Sequence, residues 1–138
     1  MRFCLVCALA STISGCGGSL PAPEEAIHRR DTFVEVPYPP PAALVEVVPE
    51  PRPPGGVWVD GNWVWRGRYY VWQRGGWMQQ IEGLGYASWQ CRLANDGRLL
   101  FAKGTWYDAH REPAPAPPVL KPARTPPNEI TIETEAPR

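Results

Sequence analysis

The feature that most restricts this chain is a repeat in its middle. W-x-x-G-x-W is spelled by Trp58, Gly61 and Trp63 and again, at a period of 14 (72 − 58), by Trp72, Gly75 and Trp77. Phe101, Gly104 and Trp106 form a looser third copy, and Tyr70 extends the second to Y-x-W-x-x-G-x-W. Asp60-Gly61 is a strong hairpin signal, because a type I′ turn needs positive φ at both central residues. Closure there pairs Val59 with Asn62 and sets Trp58 opposite Trp63 at a non-hydrogen-bonded position, where Cβ atoms come closest. By the same logic Arg74-Gly75 sets Trp72 opposite Trp77, and Lys103-Gly104 sets Phe101 opposite Trp106. A connection through Arg66-Gly67 opposes Trp63 and Tyr70 and gathers Trp58, Trp63, Trp65, Tyr70, Trp72 and Trp77 on one face of a meander. A second hairpin, Trp89, Cys91 and Leu93 returning through Asn95-Asp96-Gly97 to Leu99 and Phe101, covers the sheet. The expected fold class is all-β, a small antiparallel meander or sandwich of tryptophan-clasped hairpins.

Proline marks the limits of this module. Of 18 prolines, ten fall in residues 20–56, eight follow Glu112, and none interrupts residues 57–110, which hold all seven tryptophans. The arm before the module, with "VEVPYPPPAALVEVVPEPRPPGG", favours extended polyproline-like backbone and is expected to act as a tether. Forty such residues span roughly 120 Å as polyproline II and roughly 35 Å as a flexible coil. Within it, Thr32-Phe33-Val34-Glu35-Val36 and Leu44-Val45-Glu46-Val47-Val48 alternate as strands do and could each add to the module or to a partner. The tail, residues 111–138, is expected to be disordered, with only Ile130-Thr131-Ile132 hinting at a strand.

The start of the chain reads as an export address. Met1 and Arg2 precede an apolar run from Phe3 to Ile13, long enough for a signal h-region and too short to span a bilayer. Ile13-Ser14-Gly15-Cys16 resembles the bacterial lipobox, in which cleavage before the cysteine, here between Gly15 and Cys16, leaves a lipidated N-terminus. That resemblance implies acyl chains on Cys16, firm membrane attachment, and, with Gly17 rather than aspartate at the next position, delivery to an outer membrane. The expected organisation is a signal peptide over 1–15, a lipidated tether over 16–56, the repeat module over 57–110 and the tail over 111–138. Cys4 and Cys7 leave with the signal, so Cys91 is the candidate free thiol.

The repeat, the proline-valine-glutamate arm and the lipobox together resemble the YxWxxGxW-repeat lipoproteins of Gram-negative envelopes. The resemblance runs from the signal to about Met78. It departs at Gly56, where tyrosine is expected, and at Phe101, which replaces tryptophan. It implies location and architecture, and it carries over no functional residue except Cys16.

Inventory argues against catalysis. His28 and His110 are the only histidines, and no serine or cysteine nucleophile has a base near it in sequence. Asp60 and Asp96 sit beside glycines as turn formers, and no metal-ligand spacing occurs, so neither cofactor nor metal is expected. The formal net charge is zero, and the module has six Lys/Arg against four acids, so nucleic acid is not an expected partner. Two readings remain: a structural or accessory envelope component whose indoles are its core, or a binding module that stacks an envelope glycan or a protein partner on an exposed aromatic face. In the second, Trp65, Tyr70 and Trp72 form the ligand strip with Arg66 and Arg68 at its rim.

Overall fold

A computed structural model of the chain describes residues 19–121 and the strand Glu133–Thr134. It is all-β: strands β1 (Glu24–Glu25), β2 (Val34–Val36), β3 (Gly56–Val59), β4 (Asn62–Trp65), β5 (Tyr70–Gln73), β6 (Gly76–Gln79), β7 (Gly85–Ala87), β8 (Gln90–Leu93), β9 (Leu99–Ala102), β10 (Thr105–Tyr107), β11 (Pro113–Ala114) and β12 (Glu133–Thr134), with one 3-10 turn over Arg30–Thr32. The class matches the sequence expectation, but the pairing of the repeats does not.

The expected clasps within each copy are absent. Trp58 opposes Trp77, not Trp63, through the β3 and β6 ladder, and Trp63 opposes Trp72 through the β4 and β5 ladder. In both ladders partner numbers add to the same total (58 + 77 = 63 + 72 = 65 + 70), so the two copies form the two arms of one long hairpin. Its turn lies at Gly67 and Arg68, where the Arg66 N–H donates to the Tyr69 carbonyl at 2.9 Å. Gly67 has φ of 83°, and the residue after it is not in the left-handed region, as a type II′ turn requires. A turn centred on Arg66-Gly67 would have put the positive φ on an arginine. Moving it by one residue shifts the register by two, so Trp65 rather than Trp63 opposes Tyr70, and Trp63, Trp65, Tyr70 and Trp72 keep a common face.

The second expected hairpin forms as read: β8 and β9 pair Leu93 with Leu99 and Cys91 with Phe101, and Gly97 supplies the left-handed residue of the three-residue loop at φ of 84°. Phe101 is therefore opposite Cys91, not Trp106. Lys103-Gly104 carries the chain out of this sheet into another, where Trp106 opposes Tyr86 and Ala114. The β2-β9-β8 sheet lies against β4 and β5, and Phe101 meets Tyr70 edge-on at 5.1 Å. Between them lies a core of Val36, Trp63, Tyr70, Trp72 and Phe101, with Tyr38, Trp65, Trp89, Cys91 and Leu99 packed around it.

Neither proline-rich segment is a free appendage where it is described. From Pro21 onward the arm is docked: β1 pairs with β7, and β2 pairs with the outer edge of β9, which realises the first of its two alternating runs. The second run, residues 44–48, forms no strand but lies over the long hairpin. Proline-rich backbone is a poor donor and a good acceptor, since each proline lacks an N–H yet keeps its carbonyl. The module takes up those carbonyls: Pro21 accepts from the Trp58 N–H at 2.7 Å and Pro118 from the Gln79 N–H at 3.0 Å. The first part of the tail docks as well, with β11 on β10, Val119 bridging to Met78, and Leu120 N–H donating to the Trp77 carbonyl at 2.7 Å. β12 adds to the free edge of β5. The strand hint at Ile130-Thr131-Ile132 lies outside the described residues.

Candidate functional site

The most concentrated chemistry in the molecule is at the midpoint of the long hairpin, where both ladders break. Asp60-Gly61 on one arm and Arg74-Gly75 on the other face each other there, outside both ladders. The break is filled from outside by Glu46. Its Oε2 accepts from the Gly75 N–H at 2.8 Å and the Gly61 N–H at 3.1 Å, while Oε1 accepts from Trp72 Nε1 at 3.1 Å. The two N–H groups that a kinked hairpin leaves unpaired are thereby satisfied by one carboxylate, and charge-assisted bonds of this kind are roughly twice as strong as neutral ones.

This geometry explains the glycine of the repeat. Neither Gly61 nor Gly75 has positive φ, so turn formation is not what they supply. A Cβ on Gly75 would stand 2.6 Å from the Val59 carbonyl, 2.7 Å from the Glu46 carboxylate and 2.8 Å from the Gly61 nitrogen, and one on Gly61 would run into the Trp72 ring. Close approach of two backbones and a carboxylate is the reason for glycine at both positions.

The tryptophans flanking the break are paired across it at non-hydrogen-bonded positions. Trp58 meets Trp77 at 5.5 Å and Trp63 meets Trp72 at 5.0 Å, both edge to face with interplanar angles of 70°. Burial forces each indole N–H to find an acceptor. Trp63 donates to the Ala42 carbonyl, Trp72 to Glu46, Trp77 to the Pro49 carbonyl and Trp58 to Asp60 Oδ1. Three of the four acceptors stand on the arm at residues 42, 46 and 49. Tyr38 continues the strip: its carbonyl accepts from the Tyr70 hydroxyl at 3.1 Å, and its own hydroxyl donates to the Arg68 carbonyl.

The residues read from sequence as a ligand strip are therefore not available as one. Tyr70 is 0% and Trp72 5% exposed. Trp65 is half-buried between Tyr38 and Tyr70, and only Arg66 and Arg68 stand in solvent. The face that could have stacked a ring is covered by the β2-β9-β8 sheet on one part and by the arm on another. Glu46, which contributes three of these hydrogen bonds, was visible in the sequence only as the polar residue of an alternating run.

The third copy is built differently. Trp106 is buried, packs against Tyr86 at 5.0 Å, and Gly104 lies directly beneath the Tyr86 hydroxyl, leaving no space for a Cβ. Burial, with Asp60 adding to it, pushes the Tyr86 phenol up to about 12. Burial likewise raises the Tyr70 phenol and the Cys91 thiol. Cys91 is half-buried, and a thiol held above its usual range is a poor nucleophile.

His28 is a packing residue. Its Nε2 lies 2.7 Å from the Ser88 carbonyl, which assigns the proton to Nε2, and its ring stands edge-on to Phe33 and Tyr107. His110 is exposed at the module's end. Among the described residues no three His, Cys, Asp or Glu side chains group as metal ligands would, and no helix is long and apolar enough to cross a membrane. Gly15 and Cys16 lie outside the described residues.

A half-open groove of about 850 Å³ lies between arm residues 22–28 and 43–46, floored by Trp58, Tyr86 and Trp89. No protein-family model, curated protein or solved structure matches this chain.

Proposed function

We propose that this protein is a lipid-anchored component of a bacterial envelope, held at an outer membrane through Cys16, and that its tryptophan-rich module has a structural or accessory role without catalysis. The proposal includes kinship with the YxWxxGxW-repeat lipoproteins. The lipobox at Ile13-Ser14-Gly15-Cys16 supports the anchor. One observation about the module carries the rest: the four indoles of the first two copies, Trp58, Trp63, Trp72 and Trp77, and the Tyr70 hydroxyl, are committed to partners inside the protein. Aromatic residues spent this way are core, and a chain with so little other apolar volume needs them there. The alternative of a glycan or protein partner stacked on Trp65, Tyr70 and Trp72 loses two of its three rings to burial.

Two measurements test the reading separately. Mass spectrometry of the protein from its native envelope should find acyl chains on an N-terminal Cys16; an uncleaved, unmodified chain would remove the anchor. Tryptophan emission should be blue-shifted and resist a soluble quencher. Ready quenching that a candidate glycan protects against would overturn the structural role and restore the binding one.

A further inference from the structure

We propose that the groove between residues 22–28 and 43–46, with the aliphatic side chains on its lips, is the face that rests on the lipid surface to which Cys16 is anchored. This rests on the reading that Cys16 carries the lipid.

The chain between the anchor and the module is short. An arm acting as a tether would hold the module tens of ångströms from the bilayer. Instead the arm joins the module at Pro21, whose carbonyl accepts from the Trp58 N–H; β1 then pairs with β7, Ala26 N–H donates to the Tyr86 carbonyl and His28 bonds the Ser88 carbonyl. Five Cα steps separate Cys16 from Pro21, at most about 17 Å when fully extended. A domain of this size is roughly 30 Å across. The module can neither leave the surface nor turn its far side to it, so the side bearing Pro21 faces the lipid.

That side presents aliphatic surface. Ala22, the next residue, already lines the groove. Its lips carry Ile27, Leu44 and Val45, exposed by 75%, 37% and 101%, and Leu20 and Val47 continue the same two segments at 51% and 92%. Val45 and Val47 point outward because Glu46 between them points inward to Gly61 and Gly75, so the hydrogen bonds of the hairpin break fix the orientation of this apolar lip. Aliphatic side chains displayed so fully cost free energy in water and enter the boundary between headgroups and acyl chains favourably. Trp89, half-buried within the groove, is a residue type suited to that boundary. No lysine or arginine lines the groove, and the carboxylates of Glu25 and Asp60 stand in it beside the aliphatic lips. The lips make the contact, and anionic lipid should not strengthen it.

The test uses the full lipidated chain in phosphatidylcholine vesicles. In a Cys91→Ala background, an environment-sensitive fluorophore is placed by Val45→Cys or Ile27→Cys, with Leu93→Cys and Val119→Cys, exposed elsewhere, as controls. Spin-labelled lipid should quench the first two labels several-fold more than the controls, with no increase on adding anionic lipid. A spacer of twenty Gly/Ser residues between Gly18 and Ser19 should reduce quenching at Val45→Cys to the control level. If the Cys91→Ala background unfolds, quenching of Trp89 by brominated lipid, compared with and without the spacer, reads the same contact. Equal quenching at all four sites, with acyl chains present on Cys16, overturns the membrane face and leaves the anchor standing. A chain with no acyl group on Cys16 overturns anchor and membrane face together.

Discussion

The first two copies of the repeat and the third share a spelling and have different structures. Trp58, Gly61, Trp63 and Trp72, Gly75, Trp77 are mates: each supplies one arm of a hairpin, their tryptophans pair crosswise, and their glycines meet around one carboxylate. Phe101, Gly104 and Trp106 have no mate. Phe101 stays in the sheet that covers Tyr70, while Trp106 joins another beside Tyr86, and Gly104 between them makes room for a tyrosine hydroxyl. W-x-x-G-x-W is therefore half of a pseudo-symmetric unit. An unmatched copy is free to be used by the rest of the fold.

The comparison is broken most forcefully at the glycines. Gly75→Ala sets a methyl against the Val59 carbonyl, which cannot yield without moving a strand, and should cost about 3 kcal/mol or more in urea unfolding followed by tryptophan emission. Gly104→Ala meets only the far end of one side chain and should cost nearer 1 kcal/mol. Adding Tyr86→Phe should recover part of that loss, whereas no side-chain truncation should rescue Gly75→Ala. Equal costs for the two glycines would sink the distinction.

Glu46 is next. Glu46→Ala leaves two peptide N–H groups and an indole without their acceptor, a loss on the order of 2–4 kcal/mol, and Glu46→Gln should fall between it and the parent because one carbonyl oxygen remains. Neither change should alter Trp106 burial, which quenching of that region can check. Repairing the third copy with Phe101→Trp should destabilise by about 1–3 kcal/mol rather than help, since Phe101 is 1% exposed and has no tryptophan mate.

The smallest effect concerns pH. Tyr86 has a folded-state value near 12 against an unfolded value near 10, so its neutral form is favoured by folding. Its contribution is complete below pH 10 and lost as pH rises through about 12. The parent's stability should fall over that window, less steeply in Tyr86→Phe; identical profiles would show that the phenol's surroundings do not matter. The Tyr70 phenol, also raised by burial, keeps some alkaline sensitivity in both chains.

Much of the fold was legible in local pattern. The β class, the β8 and β9 hairpin with Gly97 in its loop, and the strand at Val34 to Val36 follow from alternation and turn chemistry. The pairing of the copies was not, because Asp60-Gly61 suits a type I′ turn and a kink equally well until something fills the kink. That filler, Glu46, lies 15 residues away in a run that reads as linker. Nor could a ligand strip at Trp65, Tyr70 and Trp72 be excluded from sequence, since alternation tells which residues share a face and not what covers it.

By itself the sequence determined where indoles, glycines and prolines fall, and hence that the chain makes short aromatic strands between stretches rich in carbonyl acceptors. Only tertiary structure decided that those acceptors belong to the indoles. A buried N–H must find a partner, and it takes the nearest carbonyl that the folded chain brings to it, whatever the separation along the sequence. Here that requirement turned an expected tether into a wall of the domain.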